Sequence, residues 1–463
     1  MSQAPTSSVV SRDEGVRRAF ATDASGITLM PDAVARPTTQ GELVEVVREA
    51  CGSKTPITAS AGMSSMTAGP ICDRGIVLSV RGLDRIIDLD REAMTVTVEP
   101  GIGVADLKRK LAAEGFLFAP DPTSEEEAAL GGAIACNASG ARSLRYGATR
   151  RHVSALTVVL ANGETVTLRR SRVEKNTVGY APMQDPIDWF IGSEGTLGVI
   201  LSAELSLLPL PERVTGLGIP FRSQADGLAF VRGARTAMQS NKVAPRCLEY
   251  LDVNSLEIVR AQEGGDSWQG EAFVYTEQEH PGDRELDFEA WLELADEHGA
   301  LVDDMIVFDT DARIRTARLV RHAVPATMLE RGNAFANEGG RRIATDWAVP
   351  YPMLAQALQI AREAAIRHGV ALPTVYGHAG NGHPHQDYVA RNHAEVEVVE
   401  KVVTETLTEI LAMGGTVAAE HGIGKIKRKW LPMQFSPIQL AAMKSLKQAL
   451  DPEGLMAPGN IVA

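Results

Sequence analysis

Three histidines and three glycines stand within residues 376–388, YGHAGNGHPHQDY, although the 463-residue chain has only ten histidines. His378 and His385 are seven residues apart, and the glycines between them would let both imidazoles turn toward one point. Glu420 stands on a second short segment, beside His421. Two imidazoles and one carboxylate can hold zinc, manganese or iron and leave coordination positions open. The alternative is a polar turn whose histidines are structural.

Three segments rich in glycine and serine point to a second kind of chemistry, the binding of phosphate groups. They cover residues 56–70, 120–153 and 192–200. Small residues let backbone N–H groups approach a phosphate closely, and consecutive N–H groups form anion-binding nests. One such run would be an ordinary loop, whereas three runs imply a long cofactor that carries phosphate. Gly131, Gly132 and Gly140 serve this purpose in the second run.

The elements that must position these residues are helices and strands in alternation, which predicts an α+β fold with mixed sheets. Thr39 precedes a periodic apolar pattern and predicts a helix start, and Gly115 predicts a helix end. Asn162 and Gly163 predict the turn of a hairpin. The GIG turn at residues 101–103 lacks the third glycine of a dinucleotide fold, so a plain strand-to-helix turn is favoured. Prolines within residues 208–214 mark a domain boundary, after which helical patterns become longer.

Composition excludes several classes of protein. The net charge is −13, from 46 basic and 59 acidic residues, so nucleic acid is not an expected partner. No apolar run is long enough for a transmembrane segment, and the N-terminus reads as a short arm. The four cysteines form no C-x-x-C pair, which argues against an iron–sulfur module and fits a reducing compartment. We expect a cytoplasmic protein, with peripheral membrane association or an organellar matrix left open.

Taken together, these segments resemble the flavin-binding domain of the vanillyl-alcohol-oxidase/p-cresol-methylhydroxylase type, in the branch of the D-lactate, glycolate and D-2-hydroxyglutarate dehydrogenases. The resemblance runs from about residue 31 to residue 461 and includes the histidine stretch and AAEHGIGKIKR at residues 418–428. It implies a two-part FAD-binding domain and a cap domain that has a mixed sheet and helices. The predicted organisation is an N-terminal arm (1–30), the FAD-binding domain (31–211), the cap or substrate domain (212–420) and a C-terminal segment returning to the flavin (421–463).

The resemblance implies FAD whose pyrophosphate lies on the loop of residues 60–65. In that loop Ala61, Gly62 and Met63 offer no nucleophile, so we expect non-covalent FAD, with Cys136 as the one residual site of attachment. Met63 is a departure, because relatives commonly carry threonine there. The predicted cofactor-binding residues are Ser60, Ala61, Gly62, Met63, Ser64, Ser65, Pro120, Asp121, Gly131, Gly132, Ala135, Asn137, Gly140, Arg145, Tyr146, Gly147, Glu194, Gly198, Val199, Ile200 and Asn460.

The resemblance also implies that His378, His385 and Glu420 bind a divalent metal and that His421 is the base. Zinc is favoured over manganese or iron. Relatives often show Asp, Asn and Leu at positions 381, 383 and 384, where this chain has Asn, His and Pro. His383 is therefore an additional candidate ligand, or else a structural histidine.

Two arginines are candidates for binding the carboxylate of the substrate. Arg321 resembles the arginine with which the family binds the acid, and Arg342 is the second candidate; each could instead form a surface salt bridge. Positions where relatives bind a second carboxylate read Pro325 and Ala344 here. A smaller acid is therefore favoured over D-2-hydroxyglutarate.

The predicted reaction is oxidation of a D-2-hydroxy acid, similar to D-lactate or glycolate, to the 2-oxo acid by metal-assisted deprotonation and hydride transfer to FAD. Electrons would leave to a separate acceptor, which is a quinone, a cytochrome, an electron-transfer flavoprotein or a partner subunit, and oxygen is a further option. Two alternatives stay open: a flavoenzyme like alkylglycerone-phosphate synthase, and a non-catalytic flavin subunit of a larger oxidase. The basic run at residues 425–430 is either a solvated helix face or a wall that attracts an anion. The oligomeric state is open, with a homodimer as one option.

Overall fold

The computed structural model describes residues 9–262, 267–280 and 287–462, and its chain divides into two compact units. The first unit comprises the described residues of Met1–Ser139, Gly147–Leu210 and Glu420–Ala463. The second comprises Gly140–Tyr146 and the described residues of Pro211–Ala419. The first eight residues of the predicted N-terminal arm lie outside the described residues.

The strands are numbered in chain order. They are β1 Val10–Ser11, β2 Ala33–Ala35, β3 Ile57–Ser60, β4 Ile76–Ser79, β5 Ile86–Asp90, β6 Thr95–Val98, β7 Phe116–Leu117, β8 Val153–Val159, β9 Thr165–Arg169, β10 Val199–Ser206, β11 Leu208–Pro209, β12 Arg213–Phe221, β13 Pro245–Leu251, β14 Ala272–His280, β15 Ile306–Phe308, β16 Gly339–Ala344, β17 Thr374–His378 and β18 His383–Asn392.

The α-helices are numbered in the same way. They are α1 Glu14–Ala19, α2 Gln40–Gly52, α3 Val104–Ala113, α4 Leu130–Ala135, α5 Ser143–Tyr146, α6 Ala181–Gln184, α7 Gln224–Gln239, α8 Val253–Arg260, α9 Phe288–Glu297, α10 Asp311–Asn333, α11 Leu354–Arg367, α12 His393–Ala412, α13 Leu431–Gln434 and α14 Pro437–Leu450.

In the first unit, one small sheet has the order β1-β2-β4-β3, in which β4 pairs in parallel with both β2 and β3. Helix α2 connects β2 to β3, and its start is confirmed, because Thr39 and Glu42 form a capping box. The helix buries Leu43, Val46 and Val47 on one face. This βαβ arrangement ends in the loop that follows β3, which is the first of the glycine-rich segments.

The second sheet of this unit has the order β5-β6-β10-β8-β9 and is antiparallel throughout. Its β8–β9 hairpin closes at Gly163, where φ is 78°, which confirms the predicted turn. Strand β6 leads into α3, yet both neighbours of β6 run antiparallel to it. The turn at residues 101–103 therefore lacks the parallel partner that a dinucleotide fold requires, and the plain-turn interpretation is confirmed.

The second unit contains a seven-stranded sheet in the order β15-β12-β14-β13-β17-β18-β16. Every pairing in it is antiparallel, so the mixed sheet expected for the cap domain is wrong in this detail. Helix α7 follows β12 and precedes β13 along the chain. A strand–helix–strand order of this kind is typical of two strands that pair in parallel. Strand β14 instead lies between them and pairs antiparallel with both.

A buried group of charges fixes β14 within this unit. Glu277 accepts hydrogen bonds from Nε of Arg142 at 2.9 Å and from Nη1 of Arg246 at 3.1 Å, and its side chain is 2% exposed. Burial raises the pKa of Glu277, but the charges of Arg142 and Arg246 outweigh it and lower the pKa to about 2. The carboxylate is therefore ionised in the folded protein over the whole neutral and mildly acidic range.

We expect Glu277→Gln to lower the free energy of unfolding by about 3–5 kcal/mol at pH 7, because it removes the buried carboxylate that pairs with both Arg142 and Arg246. The folded-state pKa lies below the ordinary value of 4.5, so this stabilisation is complete above pH 4.5 and is lost as the pH falls toward 2. Urea unfolding followed by tryptophan fluorescence should show the difference between wild type and variant narrowing below pH 4.5. The control is the exposed Glu257. A difference that stays constant with pH would contradict the assignment.

Candidate active site and cofactor loops

The histidine stretch folds as the β17–β18 hairpin of the second unit. His378, the last residue of β17, lies directly opposite His383, the first residue of β18. Cross-strand partners share a face of the sheet, and side chains two residues apart on a strand also share one. His385 is two residues after His383 and lies opposite Tyr376. The register therefore places all three imidazoles on one face of the hairpin.

The three rings converge in the protein interior. Ring centroids lie 5.5 Å apart for His378 and His383, 5.3 Å for His378 and His385, and 4.7 Å for His383 and His385. The residues are 2%, 4% and 5% exposed, in sequence order. One ring nitrogen from each lies within 4.8 Å of the other two. Imidazoles in such a cluster form a donor set that suits zinc and related transition metals, so the residues fit a metal ion.

Glu249, on strand β13, lies behind one of these imidazoles. Its Oε1 is 2.6 Å from Nδ1 of His378, and its Oε2 is 2.7 Å from Nη2 of Arg321. Because Nδ1 is engaged by the carboxylate, Nε2 is the nitrogen that His378 can offer to a metal, as in carboxylate–histidine–zinc arrangements. Burial raises the pKa of Glu249, but the charges of His378 and Arg321 outweigh burial and lower this pKa to about 2.

Both predicted substrate-binding arginines are buried in the second unit. The side chain of Arg321 is 8% exposed and that of Arg342 is 11% exposed, so neither forms a surface salt bridge. Arg342 pairs with Asp387 at 2.8 Å and donates to the hydroxyl of Tyr376 at 3.2 Å. The guanidinium of Arg321 lies over the ring of Tyr376, 5.7 Å from its centroid. Each arginine thus already faces a protein carboxylate, and the two are linked through Tyr376.

Sequence reasoning missed two acids beside this cluster, Glu249 and Asp346. Oδ1 of Asp346 lies 3.1 Å from Nε2 of His383, and its side chain is fully buried. The available signal for Glu249 was a lone acid within a short apolar strand, CLEYL. Such a residue is costly to bury without a partner, so it marks a functional or ion-paired position.

In the first unit, the loop at residues 60–65 fits a pyrophosphate group. Across the described part of the chain, the backbone N–H groups of residues 61–65 have no hydrogen-bond partner. Met63 within the loop has a φ of 60°, the left-handed conformation that turns successive N–H groups toward one side. Partly buried donors without acceptors are costly, and a bound phosphate would satisfy them.

The second glycine-rich segment, residues 120–153, packs against this loop within the first unit. A Cβ on Gly62 would lie 2.5 Å from the carbonyl oxygen of Glu127, so the two backbones touch. A Cβ on Gly132 would lie 3.3 Å from that of Ala61. The predicted cofactor residues in this unit also include Pro120, Asp121, Gly131, Ala135, Asn137, Gly147, Gly198, Val199 and Ile200.

Three predicted cofactor residues lie in the second unit instead: Gly140, Arg145 and Tyr146. Arg145 pairs with Glu279 at 3.2 Å, and the hydroxyl of Tyr146 accepts from Nε of Arg246 at 3.1 Å. Their side chains therefore have protein partners. In the first unit, burial raises the pKa of the Cys136 thiol to about 12, which does not favour the thiolate form.

The segment that carries Glu420 and His421 is anchored by Glu194. The carboxylate of Glu194 accepts hydrogen bonds from the backbone N–H groups of Ile423 at 2.6 Å and Gly424 at 2.7 Å. Burial raises the pKa of Glu194, although these two N–H groups oppose the rise. Oγ of Ser139 lies 3.2 Å from Oε2 of Glu420. The side chain of Glu194, predicted to contact the cofactor, thus holds the protein's own backbone.

Asn460 and Lys425 form a second anchor for the same segment. Nζ of Lys425 donates to Oδ1 of Asn460 at 2.7 Å, and Nδ2 of Asn460 donates to the carbonyls of Gly69 and Glu194. Burial lowers the pKa of Lys425. Lys427 is also buried, so the interpretation of this basic run as a solvated helix face is wrong. Lys425 serves contacts inside the first unit, and Lys429 is the exposed lysine of the run.

No helix in residues 9–262, 267–280 or 287–462 is both long and apolar enough to cross a membrane.

Comparisons with known proteins agree on one family. Residues 31–169 match the family described as "FAD binding domain", and residues 210–461 match "FAD linked oxidases, C-terminal domain". The chain is 30% identical over 447 residues to the glycolate oxidase subunit GlcD of Bacillus subtilis (strain 168), covering 94% of this chain and 89% of the relative. It is 30% identical over 445 residues to a D-lactate dehydrogenase of Anaerostipes hadrus, covering 93% and 89%.

Solved structures give the same fold. An alkyldihydroxyacetonephosphate synthase superposes with a TM-score of 0.75 at 18% identity, covering 98% of this chain and 82% of that one. A p-cresol methylhydroxylase with substrate bound superposes with a TM-score of 0.74 at 15% identity, covering 98% and 94%. These similarities confirm the predicted α+β fold of the p-cresol-methylhydroxylase type. At such identities they carry no information about the reaction.

We expect Glu194→Ala to loosen the segment at residues 420–425, because two hydrogen bonds to a charged carboxylate are lost. Bonds of this kind are each worth about 1.5–3 kcal/mol, so the amides of Ile423 and Gly424 should exchange roughly 10- to 100-fold faster with deuterium. Hydrogen–deuterium exchange resolved by mass spectrometry measures this directly. Glu92→Ala, at an exposed position of the same unit, serves as the control. Unchanged exchange at both amides in a folded variant would show that Glu194 does not anchor the segment.

Proposed function

This chain belongs to the FAD-linked oxidases, and we propose that it oxidises a small D-2-hydroxy acid of the lactate or glycolate type to the 2-oxo acid. That it is an FAD-dependent oxidoreductase follows from the family. The observation that carries the finer proposal is the buried imidazole cluster, tied through Glu249 to Arg321. A flavoprotein that only binds its cofactor has no need of such a donor set.

The backbone N–H groups of residues 61–65 would hold the pyrophosphate of FAD, which we expect to be bound non-covalently. Bound FAD would supply the acceptor for the hydride from the substrate carbon. The chain's own task is to bring the C–H bond of the acid to that acceptor and to take the hydroxyl proton. We assign those two tasks to the arginine pair and to His421.

We propose that His378, His385 and Glu420 hold a divalent metal, with zinc favoured over manganese or iron. Such an ion would acidify the hydroxyl of the substrate, as bound water falls from a pKa of about 15.7 to about 7. Glu249 fixes the tautomer and orientation of His378 for this role. Arg321 in turn neutralises Glu249, so the carboxylate does not need a proton in the buried site.

His421 is the proposed base. A positioned base typically contributes about 10²–10⁴ to the rate of such a reaction. The Glu194 anchor holds the backbone two residues after His421, and Oγ1 of Thr67 donates to the His421 carbonyl at 3.3 Å. Both contacts restrict the backbone motion of His421 within the first unit.

Arg321 is proposed to bind the substrate carboxylate, with Arg342 as the second candidate. A guanidinium has five N–H donors, so it can pair with Glu249 and still present donors to an acid. Pro325 follows Arg321 by four residues in α10 and offers no side-chain donor, and neither does Ala344 at the end of β16. The second carboxylate of D-2-hydroxyglutarate would lack those contacts, which favours a smaller acid.

The electrons would leave to a separate acceptor: a quinone, a cytochrome, an electron-transfer flavoprotein or a partner subunit. All four cysteines are free and none neighbours another in sequence, so this chain has no cysteine cluster for an internal iron–sulfur relay. The free thiols also support our proposal of a cytoplasmic protein. A homodimer stays a prediction.

The direct test is to purify the protein with its flavin oxidised and mix it anaerobically with D- and L-lactate, glycolate and D-2-hydroxyglutarate. We expect D-lactate or glycolate to bleach the flavin, and chelation or His378→Ala to abolish bleaching. His421→Asn should slow bleaching by about 10²–10⁴ while the metal content stays unchanged. His368→Ala, at a histidine that pairs with Glu405 on the surface, is the control.

A yellow protein that no 2-hydroxy acid bleaches would refute the proposed reaction and leave a synthase-like flavoenzyme or a non-catalytic subunit. Bleaching that survives complete removal of metal would retain the reaction and refute the metal's part in it.

The flavin loop yields a further prediction, because a Cβ on Gly62 would lie 2.5 Å from one backbone atom and 2.8 Å from another. Gly62→Ala must displace residues 60–65 or residues 127–129. Overpacking of this kind costs about 1–3 kcal/mol, so FAD should bind roughly 10- to 100-fold more weakly. Reconstitution of the apoprotein followed by flavin absorbance measures the affinity. Gly41→Ala is the control and should bind FAD normally, because a Cβ on Gly41 would meet no atom within 4 Å. Equal FAD affinity in the two variants would show that the loop of residues 60–65 does not bind the cofactor.

A further inference from the structure

We propose that His383 is a third imidazole ligand, so that this chain holds its metal with three histidines of one hairpin. The inference rests on the proposed function, since that proposal places a metal at His378 and His385. The sequence alone left His383 open as an additional ligand or a structural histidine. The inference adds His383 to the expected ligands.

The register of the hairpin carries the argument. His383 and His385 occupy alternate positions of β18, and His378 is the cross-strand partner of His383. All three therefore project from the same face, and His383 is as deeply buried as the other two. A three-histidine set is an established way for proteins to bind zinc. The centroid distance from His383 to His385, 4.7 Å, is the shortest of the three.

The surroundings of the His383 ring support a ligand over a structural role. Its Nε2 is buried and, among the described residues, makes no hydrogen bond, although Oδ1 of Asp346 lies 3.1 Å away. A buried polar atom left unpaired costs about 1–3 kcal/mol. A cation bound to this nitrogen would remove the penalty.

A third histidine ligand changes which metal ions the site prefers and how many coordination positions stay open. Three imidazoles favour zinc, cobalt, nickel or copper over manganese and magnesium, which prefer oxygen donors. One more protein ligand also leaves one position fewer for the substrate. The second unit would then hold the ion through three of its own residues.

The test is zinc affinity of the full-length flavoprotein, measured after chelation by competition with a chromogenic chelator. We expect His383→Asn to weaken zinc binding by more than roughly 100-fold, because loss of a ligand exceeds the 10- to 100-fold effect of a supporting residue. His378→Ala should behave similarly, and His368→Ala should bind as wild type. Zinc affinity of His383→Asn equal to that of wild type, with His378→Ala impaired, would overturn the inference.

A second measurement uses the unaltered chain and so does not depend on how a variant folds. Pulsed electron paramagnetic resonance of the Cu²⁺-loaded protein counts coordinated imidazoles, and we expect three. Two would overturn the inference. The outcome is separable from the reaction: three imidazoles in a protein that no hydroxy acid bleaches would refute the proposed function and leave this inference intact.

Discussion

The carboxylate of Glu249 is the constraint on which the candidate site depends. It is buried between His378 and Arg321, and each of its oxygens faces one of them. An uncompensated carboxylate at that depth would be costly, and a buried imidazole with no fixed tautomer would present either nitrogen. The pairing meets both requirements. It also explains why Arg321 lies in the interior of the second unit and not at its surface.

Compensation of buried charge recurs through the second unit. Arg342 faces Asp387, and Arg142 with Arg246 faces Glu277. Each arginine thereby keeps a fixed position within the second unit, whose antiparallel sheet would otherwise exclude charge. In the first unit, the corresponding role belongs to Glu194 and Asn460, which bind backbone groups. The difference suits the tasks that we propose, which are side-chain chemistry in the second unit and backbone binding of phosphate in the first.

The sequence predicted features that depend on local patterns. The cap at Thr39, the turn at Gly163 and the proximity of His378 to His385 each involve residues only a few positions apart. The contacts that it did not predict join distant strands. Glu249 meets His378 only because β13 pairs with β17, and the antiparallel sheet arises because β14 lies between β12 and β13. The burial of Lys427 is of the same kind, since charge alone gives no sign of what packs over it.

The hairpin of β17 and β18 differs from the rest of its sheet in how it can form. Its strands are joined by residues 379–382, whereas the pairing of β13 with β17 brings Tyr250 to Gly377 across more than a hundred residues. Hairpins form in about 1–10 μs, while pairings between distant segments are far slower. The three imidazoles can therefore meet early in folding, before Glu249 arrives behind them. A metal captured at that stage would restrict the unfolded chain, so the ion would favour assembly of the unit as well as its chemistry.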